Sequence, residues 1–352
     1  MLGARLEIRY NIKAYNITKE CLLWRRKMYY FIMNPKASSG KGMKAWKTIE
    51  GILKEENVEY ESHVLKSAQE TTEFVRNLTS RKEYITAKES LEMVDSPDKS
   101  ESDCHIVVLG GDGTINAVLN GIADFEHTVL SCIRTGSGND FARNVGVKKN
   151  VRKALQHLLH STEQLCLDYG EATYIAENGT KTRRFAISNG VGYDADICEE
   201  VGRSRLKKIL NWAKLGKLVY VAIGIKQIFT RKNSGAVVTL DDKKLKISSL
   251  FFVVGMIHEK EGGGVPFCPN ADATDGLLDV CLVKQMPKLK LLLAVIMVYM
   301  KQHYRFRDIT AYRCKSMKVE LDTPQWFHMD GETSVKIREI RLECHSGLRF
   351  YK

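Results

Sequence analysis

Nowhere does the chain offer the run of roughly 18 to 20 apolar residues that spans a bilayer as a helix. Its best candidate, Leu291 to Tyr299, is about half that length, so any membrane contact is expected to be peripheral. The first 27 residues are basic but lack the apolar stretch and small-residue cleavage pattern of a signal peptide. They read as a loose tail or a start set too early, ahead of Met28. The nine cysteines are scattered, with no CxxC pair, and no HExxH spacing occurs. That pattern fits reduced, mostly buried thiols in a cytosolic protein better than a disulfide framework or a metal cluster. Two nucleotide signatures are missing as well. Lys41 does not complete GxxxxGK[ST], and Phe141 stands where GxGxxG needs its last glycine.

What is present is a globular composition, 44% hydrophobic and 27% charged over 352 residues, long enough for two domains sharing a cleft. The formal charge of +12 calls for a polyanionic partner, be it nucleotide, nucleic acid or membrane surface.

From Met28 the pattern alternates strand and helix. Tyr29 to Met33 is an apolar run stopped by Asn34-Pro35 and followed by the hydroxyl-rich loop Ser38-Ser39-Gly40. Trp46, Ile49 and Leu53 then recur at helical spacing, Tyr60 to Leu65 reads as a strand, and Glu70 to Leu78 as a helix. Residues 80 to 103 are polar and read as a surface excursion. His105 to Leu109 is a buried strand running into Gly110-Gly111-Asp112-Gly113-Thr114, after which Ile115, Val118, Leu119 and Ile122 open a helix. Val129 to Ile133 leads likewise into Thr135 to Asp140, and Val151, Ala154, Leu155 and Leu158 share one helical face. Alternation of this kind predicts a parallel α/β sheet with ligands at the carboxyl ends of its strands. Past about residue 165, closely spaced strand-like runs (Phe185 to Ser188, Leu250 to Val254, Leu277 to Val283, Met317 to Leu321, Ile337 to Leu342) predict a mainly antiparallel second domain. The expected organisation is a tail over 1–27, a nucleotide-binding α/β domain over 28–165 and a β-rich acceptor domain over 166–352, with the last residues packing back on the first domain.

A glycine turn between a strand and a helix lets backbone approach a phosphate and aims free N–H groups at it. Asp112 in that turn adds a carboxylate, suited to Mg²⁺ or to proton transfer. Asp112, Asp140 and Asp168 each belong to a different strand-loop unit and can be brought to one side of a cleft. Asp140 also suits a helix N-cap. Asn270 to Asp279 is either a cation-binding loop or a polar turn, and Asp330-Gly331-Glu332 is either a half-buried base or a type I′ hairpin turn.

Taken in order, GGDGTIN, GSGNDFAR (Gly136 to Arg143), Asp168-Tyr-Gly, PNADATDGLLD (Pro269 to Asp279) and Asp330-Gly-Glu332 resemble the soluble bacterial diacylglycerol kinases, lipid kinases built on a diacylglycerol kinase catalytic domain. GGDGT alone is shared with NAD kinases and is similar to phosphofructokinases. The resemblance runs from Met28 to the C-terminus and implies an NAD kinase/phosphofructokinase-like α/β domain followed by a β-sandwich. It implies ATP contacts at Asn34, Pro35, Ser38, Ser39, Gly40, Gly110, Gly111, Asp112, Gly113, Thr114, Asn116 and Ser137. It implies a water-bridged Mg²⁺ network at Asp112, Asp140 and Asp168, a second Mg²⁺ at Asp272, Asp275 and Leu277, and Glu332 as proton acceptor. The implied reaction is ATP-dependent phosphorylation of diacylglycerol by a cytoplasmic, peripherally membrane-associated enzyme, with no nucleic-acid partner and a homodimer left open. The alternatives are another lipid alcohol as acceptor, NAD as acceptor, and a non-catalytic sensor of nucleotide or phospholipid. Ser204 to Lys232 and Lys288 to Arg307, which mix lysines with apolar residues, are either bilayer-facing segments or core helices with solvated faces.

Overall fold

The computed structural model describes residues 27–35, 41–80, 103–136, 138–160, 163–176, 179–203 and 216–352. The expectations for residues 1–26, for Ser38, Ser39, Gly40 and Ser137, for nearly all of 80–103 and for 204–215 lie outside the described residues.

The first half alternates as its periodicity predicts. Strands β1 (Tyr29–Met33), β2 (Tyr60–Val64), β3 (Cys104–Gly110) and β4 (Thr128–Arg134) pair in parallel in the order β2-β1-β3-β4. Helices α1 (Lys41–Glu55), α2 (Ala68–Ser80), α3 (Asp112–Gly121), α4 (Asp140–Asn144) and α5 (Val151–His160) cover the sheet. β1 and β3 are apolar on both faces because both faces are covered. Phe31 packs on Trp46 of α1 with ring centroids 5.3 Å apart. Ser67 caps the start of α2, its Oγ accepting the Glu70 N–H, while the Glu70 carboxylate accepts the N–H of Lys66, one residue ahead of the cap.

Beyond α5 the chain enters long antiparallel strands. β5 (Gln164–Ala176), β6 (Gly179–Phe185) and β7 (Ser188–Gly192) come first, followed by α6 (Tyr193–Arg203), α7 (Gly216–Thr230), β8 (Ser234–Leu240) and β9 (Lys243–Met256). After them come β10 (Leu278–Lys284), α8 (Lys288–Tyr299), β11 (Ile309–Cys314), β12 (Ser316–Met329) and β13 (Glu332–Tyr351). Two strands bend between partners. β9 pairs with β8 up to Leu250 and with β7 from Phe252, while β12 pairs with β8 over 317–321 and with β7 over 327–329. The enclosed core holds Val191, Val253, Phe327, Ile340 and Leu342, the β-sandwich expected of this half.

The run read as one strand, Phe185 to Ser188, is instead split between two: Phe185 ends β6, Ser188 opens β7, and Ala186 and Ile187 lie between them. The N–H groups of Ala186, Ile187 and Ser188 go to the Asp330 carboxylate rather than to a ladder, which ends one strand and offsets the next. The boundary drawn at 165/166 falls inside β5. β13 then returns to the first sheet, Arg349 and Phe350 pairing in parallel with Val129 and Leu130 of β4. All eight described cysteines are free thiols, and among the described residues no helix is long and apolar enough to cross a membrane.

Candidate active site

A cleft of about 350 Å³ opens where the first sheet meets the Asp330–Glu332 hairpin, lined by Asn34, Thr71, Gly111 to Thr114, Gly136, Gly138, Asp330 and Glu332. Its floor is the glycine turn. Thr114 and Ile115 return their N–H groups to Gly111 O, so the N–H groups of Asp112 and Gly113 lie ahead of the first intrahelical bond at the mouth of α3. The neighbouring loop approaches this backbone too closely for a side chain. A Cβ on Gly136 would sit 2.3 Å from Gly111 Cα, and one on Gly138 would sit 2.7 Å from Asp112 Oδ2.

Asp112 joins two loops. Its carboxylate accepts the N–H groups of Asp140 and Phe141, both at 3.0 Å, and so caps α4 from outside. Burial raises its pKa to about 6. The two N–H bonds oppose that shift, and the charges of Asp140 and Asp330 add to it. The N-cap position of α4 itself belongs to Asn139, held at φ 55°. Buried Asp140 pairs with Arg143 at 2.5 Å and accepts the Gly263 N–H at 2.6 Å.

Glu332 faces this turn from the other half of the molecule. Asp330 and Gly331, with φ of 48° and 81°, form the two-residue type I′ turn between paired Met329 and Glu332. The turn and the acid are thus one object. A Cβ on Gly113 would meet Glu332 Oε1 at 2.8 Å, so the carboxylate stands directly over the glycine turn. The Glu332 side chain is accessible, and among the described residues it accepts no hydrogen bond. The cleft walls shield its carboxyl and raise its proton affinity, with Arg183 opposing and Asp330 adding.

Other expected site residues are used differently. Asn116 is buried, and its amide donates to Asp330 Oδ2 (2.8 Å) and Arg184 O (3.0 Å) while accepting from Arg183 (3.1 Å). It braces α3 against the second half. Asp168, 1% exposed, accepts the Gly276 N–H at 2.7 Å and the Ser346 hydroxyl. Its direct bonds are therefore with the Asp272–Leu277 loop and β13, whereas Asp112 and Asp140 bond to each other.

In that loop Asp272 accepts from Thr274 N and Oγ1, Asp275 accepts the Leu277 N–H, and Arg313 pairs with Asp275. A guanidinium thus already meets the Asp275 charge. The orphan oxygen is Asp279 Oδ2, buried and without a hydrogen-bond partner. Burial and the Asp272 charge raise Asp279 to about 6. Arg313 also approaches Asp279 Oδ1, at 3.7 Å, so one guanidinium lies beside both carboxylates.

Sequence reading overlooked Thr71 in the cleft wall and a buried trio behind the hairpin, Asp194, Glu261 and His328. The signal for His328 was its place two residues before Asp330. Asp194 and Glu261 carried none, because their link to the site runs across strands far apart in sequence.

The arrangement offers a phosphate-sized cradle of backbone N–H groups, a buried aspartate fit to hold a hydrated divalent cation, and an acceptor-side carboxylate over both. Residues 28–168 match the family profile described as the diacylglycerol kinase catalytic domain, and residues 188–344 the one described as the YegS C-terminal NAD kinase beta sandwich-like domain. YtlR of Bacillus subtilis, named as a lipid kinase, is 24% identical over 312 residues, covering 86% of this chain and 93% of its own. A diacylglycerol kinase of Staphylococcus epidermidis is 24% identical over 323 residues, 91% of each chain. A crystal structure titled as a diacylglycerol kinase from Bacillus anthracis superposes with a TM-score of 0.61 at 20% identity, covering 92% of this chain and 96% of that one.

Proposed function

Because the chain belongs to the family of lipid kinases built on a diacylglycerol kinase catalytic domain, we propose that it transfers the γ-phosphoryl group of ATP to the hydroxyl of diacylglycerol, giving phosphatidic acid and ADP. The observation that carries this reading is the Glu332 carboxylate over Gly113, beside the buried Asp112. Glu332 takes the proton of the lipid hydroxyl, the freed oxygen attacks the γ-phosphorus in line, and ADP leaves. A raised proton affinity keeps Glu332 nearer to matching that task. Backbone N–H groups at the mouth of α3 and the Asn34 end of β1 cradle the phosphates. Asp112 and Asp140 are the residues that would hold hydrated Mg²⁺, which supplies charge neutralisation at the phosphates. Asp168 supports the same cleft from the sandwich side by fixing the 273–276 loop.

Access to the lipid is assigned to α7 and α8. Val221, Ile225 and Phe229 make an exposed stripe on α7, as do Leu289, Leu293 and Ile296 on α8 with Met300 just past its end, Leu289 being 79% exposed. The two helices touch, Lys288 Nζ donating to Phe229 O at 2.5 Å. A stripe of this kind with lysines beside it suits peripheral binding to an anionic bilayer from the cytoplasmic side.

The test is labelled ATP with Mg²⁺ and a panel of acceptors: diacylglycerol, a sphingoid base, phosphatidylglycerol, a polyprenol and NAD. Phosphatidic acid is the expected product, and the charge-inserting pair Phe229→Glu/Ile296→Glu is expected to lose activity on anionic vesicles while keeping it on detergent-dispersed acceptor. Labelling of another lipid would reassign the acceptor. Labelling of NAD, or of nothing, would sink the lipid kinase reading for this chain.

A further inference from the structure

Behind the hairpin lies a buried network whose own side chains do not line the cleft. His328 (2% exposed) is the last but one residue of β12, and Asp194 (7%) opens α6. The imidazole Nε2 lies 3.0 Å from Asp194 Oδ2, and the Gly331 N–H is donated to Nδ1 at 3.2 Å. Those two contacts fix the tautomer: Nε2 carries the proton and Nδ1 is bare. The strand residue opposite His328 is Gly190, and a Cβ there would fall 1.9 Å from Asp194 Oδ2 and 2.5 Å from His328 Nε2. No other residue leaves room for the pair.

Buried Glu261 is the third member, taking the Ser188 hydroxyl. Ser188 gives its backbone N–H to Asp330, at 3.1 Å. The contacts therefore close around the turn. Asp330 is held through its carboxylate by residues 186–188, and Gly331 through its N–H by His328. Burial lowers the proton affinity of His328, but Asp194 and Glu261 overcome this and lift it to about 9, while burial lifts Glu261 to about 7. A protonated Nδ1 would set two N–H groups against each other at 3.2 Å. The Gly331 N–H on Nδ1 therefore favours the neutral ring.

We infer that Asp194 and His328 are positioning residues, which hold the Gly331 amide and thereby set where the Glu332 carboxylate stands over Gly113. The inference rests on Glu332 being the proton acceptor. A type I′ turn fixes its own two dihedral pairs, but its pitch relative to the cleft is free unless something outside the hairpin holds it. Asp194 on α6 supplies that hold from outside through the His328 ring, which takes the Gly331 N–H at one residue's remove from the acid. The Asp194 carboxylate orients the ring as a carboxylate orients the imidazole in other buried pairs.

Two near-isosteric substitutions separate this role from simple packing. In His328→Asn the amide oxygen takes the place of Nδ1 and keeps the bond from Gly331. In His328→Gln the amide nitrogen takes the place of Nε2, keeping Asp194 and losing Gly331. With ATP, Mg²⁺ and detergent-dispersed diacylglycerol, His328→Gln is expected to lose on the order of tenfold in kcat with KM for ATP within about twofold of wild type, since small misplacements of a reacting group are costly. His328→Asn is expected to retain kcat within about threefold. Hydrogen exchange at the Gly331 amide should quicken in the Gln variant and not in the Asn variant. Equal kcat losses in the two, a kcat loss matched by the KM for ATP, or unchanged Gly331 exchange in the Gln variant would each overturn the inference. Glu332→Ala is assayed beside them. Normal turnover in that variant removes the base role alone, and the exchange contrast at Gly331 still decides the positioning.

Discussion

The cleft is made of two turns that carry an acid each and are built in opposite ways. The Gly110–Thr114 turn is local: a strand ends, a helix begins, and Asp112 is rigid because it caps the next loop's helix with two 3.0 Å bonds. The Asp330–Glu332 turn is local in its dihedrals only. Its placement depends on residues 186–188 and Asn116, and on Asp194 acting through the ring of His328, all three reached across the fold. Asp112 therefore has a structural task beside its proposed chemical one, whereas Glu332 is positioned by its neighbours and, among the described residues, accepts no hydrogen bond. The base can be removed from this molecule without removing a brace, but the aspartate cannot.

The largest expected effect tests that asymmetry directly. Glu332→Ala and Asp112→Ala are each expected to lose on the order of a thousandfold or more in kcat, as befits removal of a proton acceptor or of a charge anchor for the phosphates. Only Asp112→Ala should also lower stability, by about 1–2 kcal/mol, the usual cost of an N-cap acceptor. Paired turnover and denaturant titrations decide it; a Glu332 variant that unfolds as easily as the Asp112 variant would erase the distinction.

Next in size is Asp330→Ala. Its carboxylate takes three backbone N–H groups and the Asn116 amide, and leaving them unmet should cost roughly 3–5 kcal/mol. The denaturation midpoint should drop accordingly. A change below about 1 kcal/mol would mean water replaces the carboxylate, and the hairpin is less dependent on it than drawn.

The smallest effect is electrostatic. Asp112 has a pKa of about 6 in the fold against an ordinary 3.8, so the folded chain holds this proton more tightly than the unfolded one. Its contribution to stability is thus full at low pH and falls as pH rises through that window. In Asp112→Asn that fall is absent. With nucleotide and divalent ions removed, the melting temperature of the wild type relative to the variant should decline between pH 4 and 7; parallel curves would show that Asp112 is not held protonated.

Legibility in the sequence followed the range of the interaction. β1 to β4 and their helices could be read from apolar periodicity, and the glycine turn from its flanking strand and helix, because each depends on residues a few positions apart. Glu332 was legible for the same reason, as Asp330-Gly331 is a two-residue turn in any context. Asn116 was not. It stands inside the glycine motif, but its amide is claimed by Asp330 and the 183–184 segment. The pairing of Asp275 with Arg313, which arrives on β11, was not legible either. The Phe185 to Ser188 run misled because its hydrophobicity is that of a strand while its N–H groups serve a carboxylate 142 to 144 residues away.

The sequence by itself determined that a glycine turn follows β3, that its first sheet is parallel, and that an acid sits at the end of a tight hairpin. Tertiary structure alone decided that this acid faces Gly113, that Asp168 bonds to the 273–276 loop and β13, and that a buried histidine holds the hairpin. The physical reason is common to all three. Backbone preference acts over one turn of chain, but a carboxylate's partners are whichever donors the packed sheets bring within 3 Å, and packing is settled by the whole chain at once.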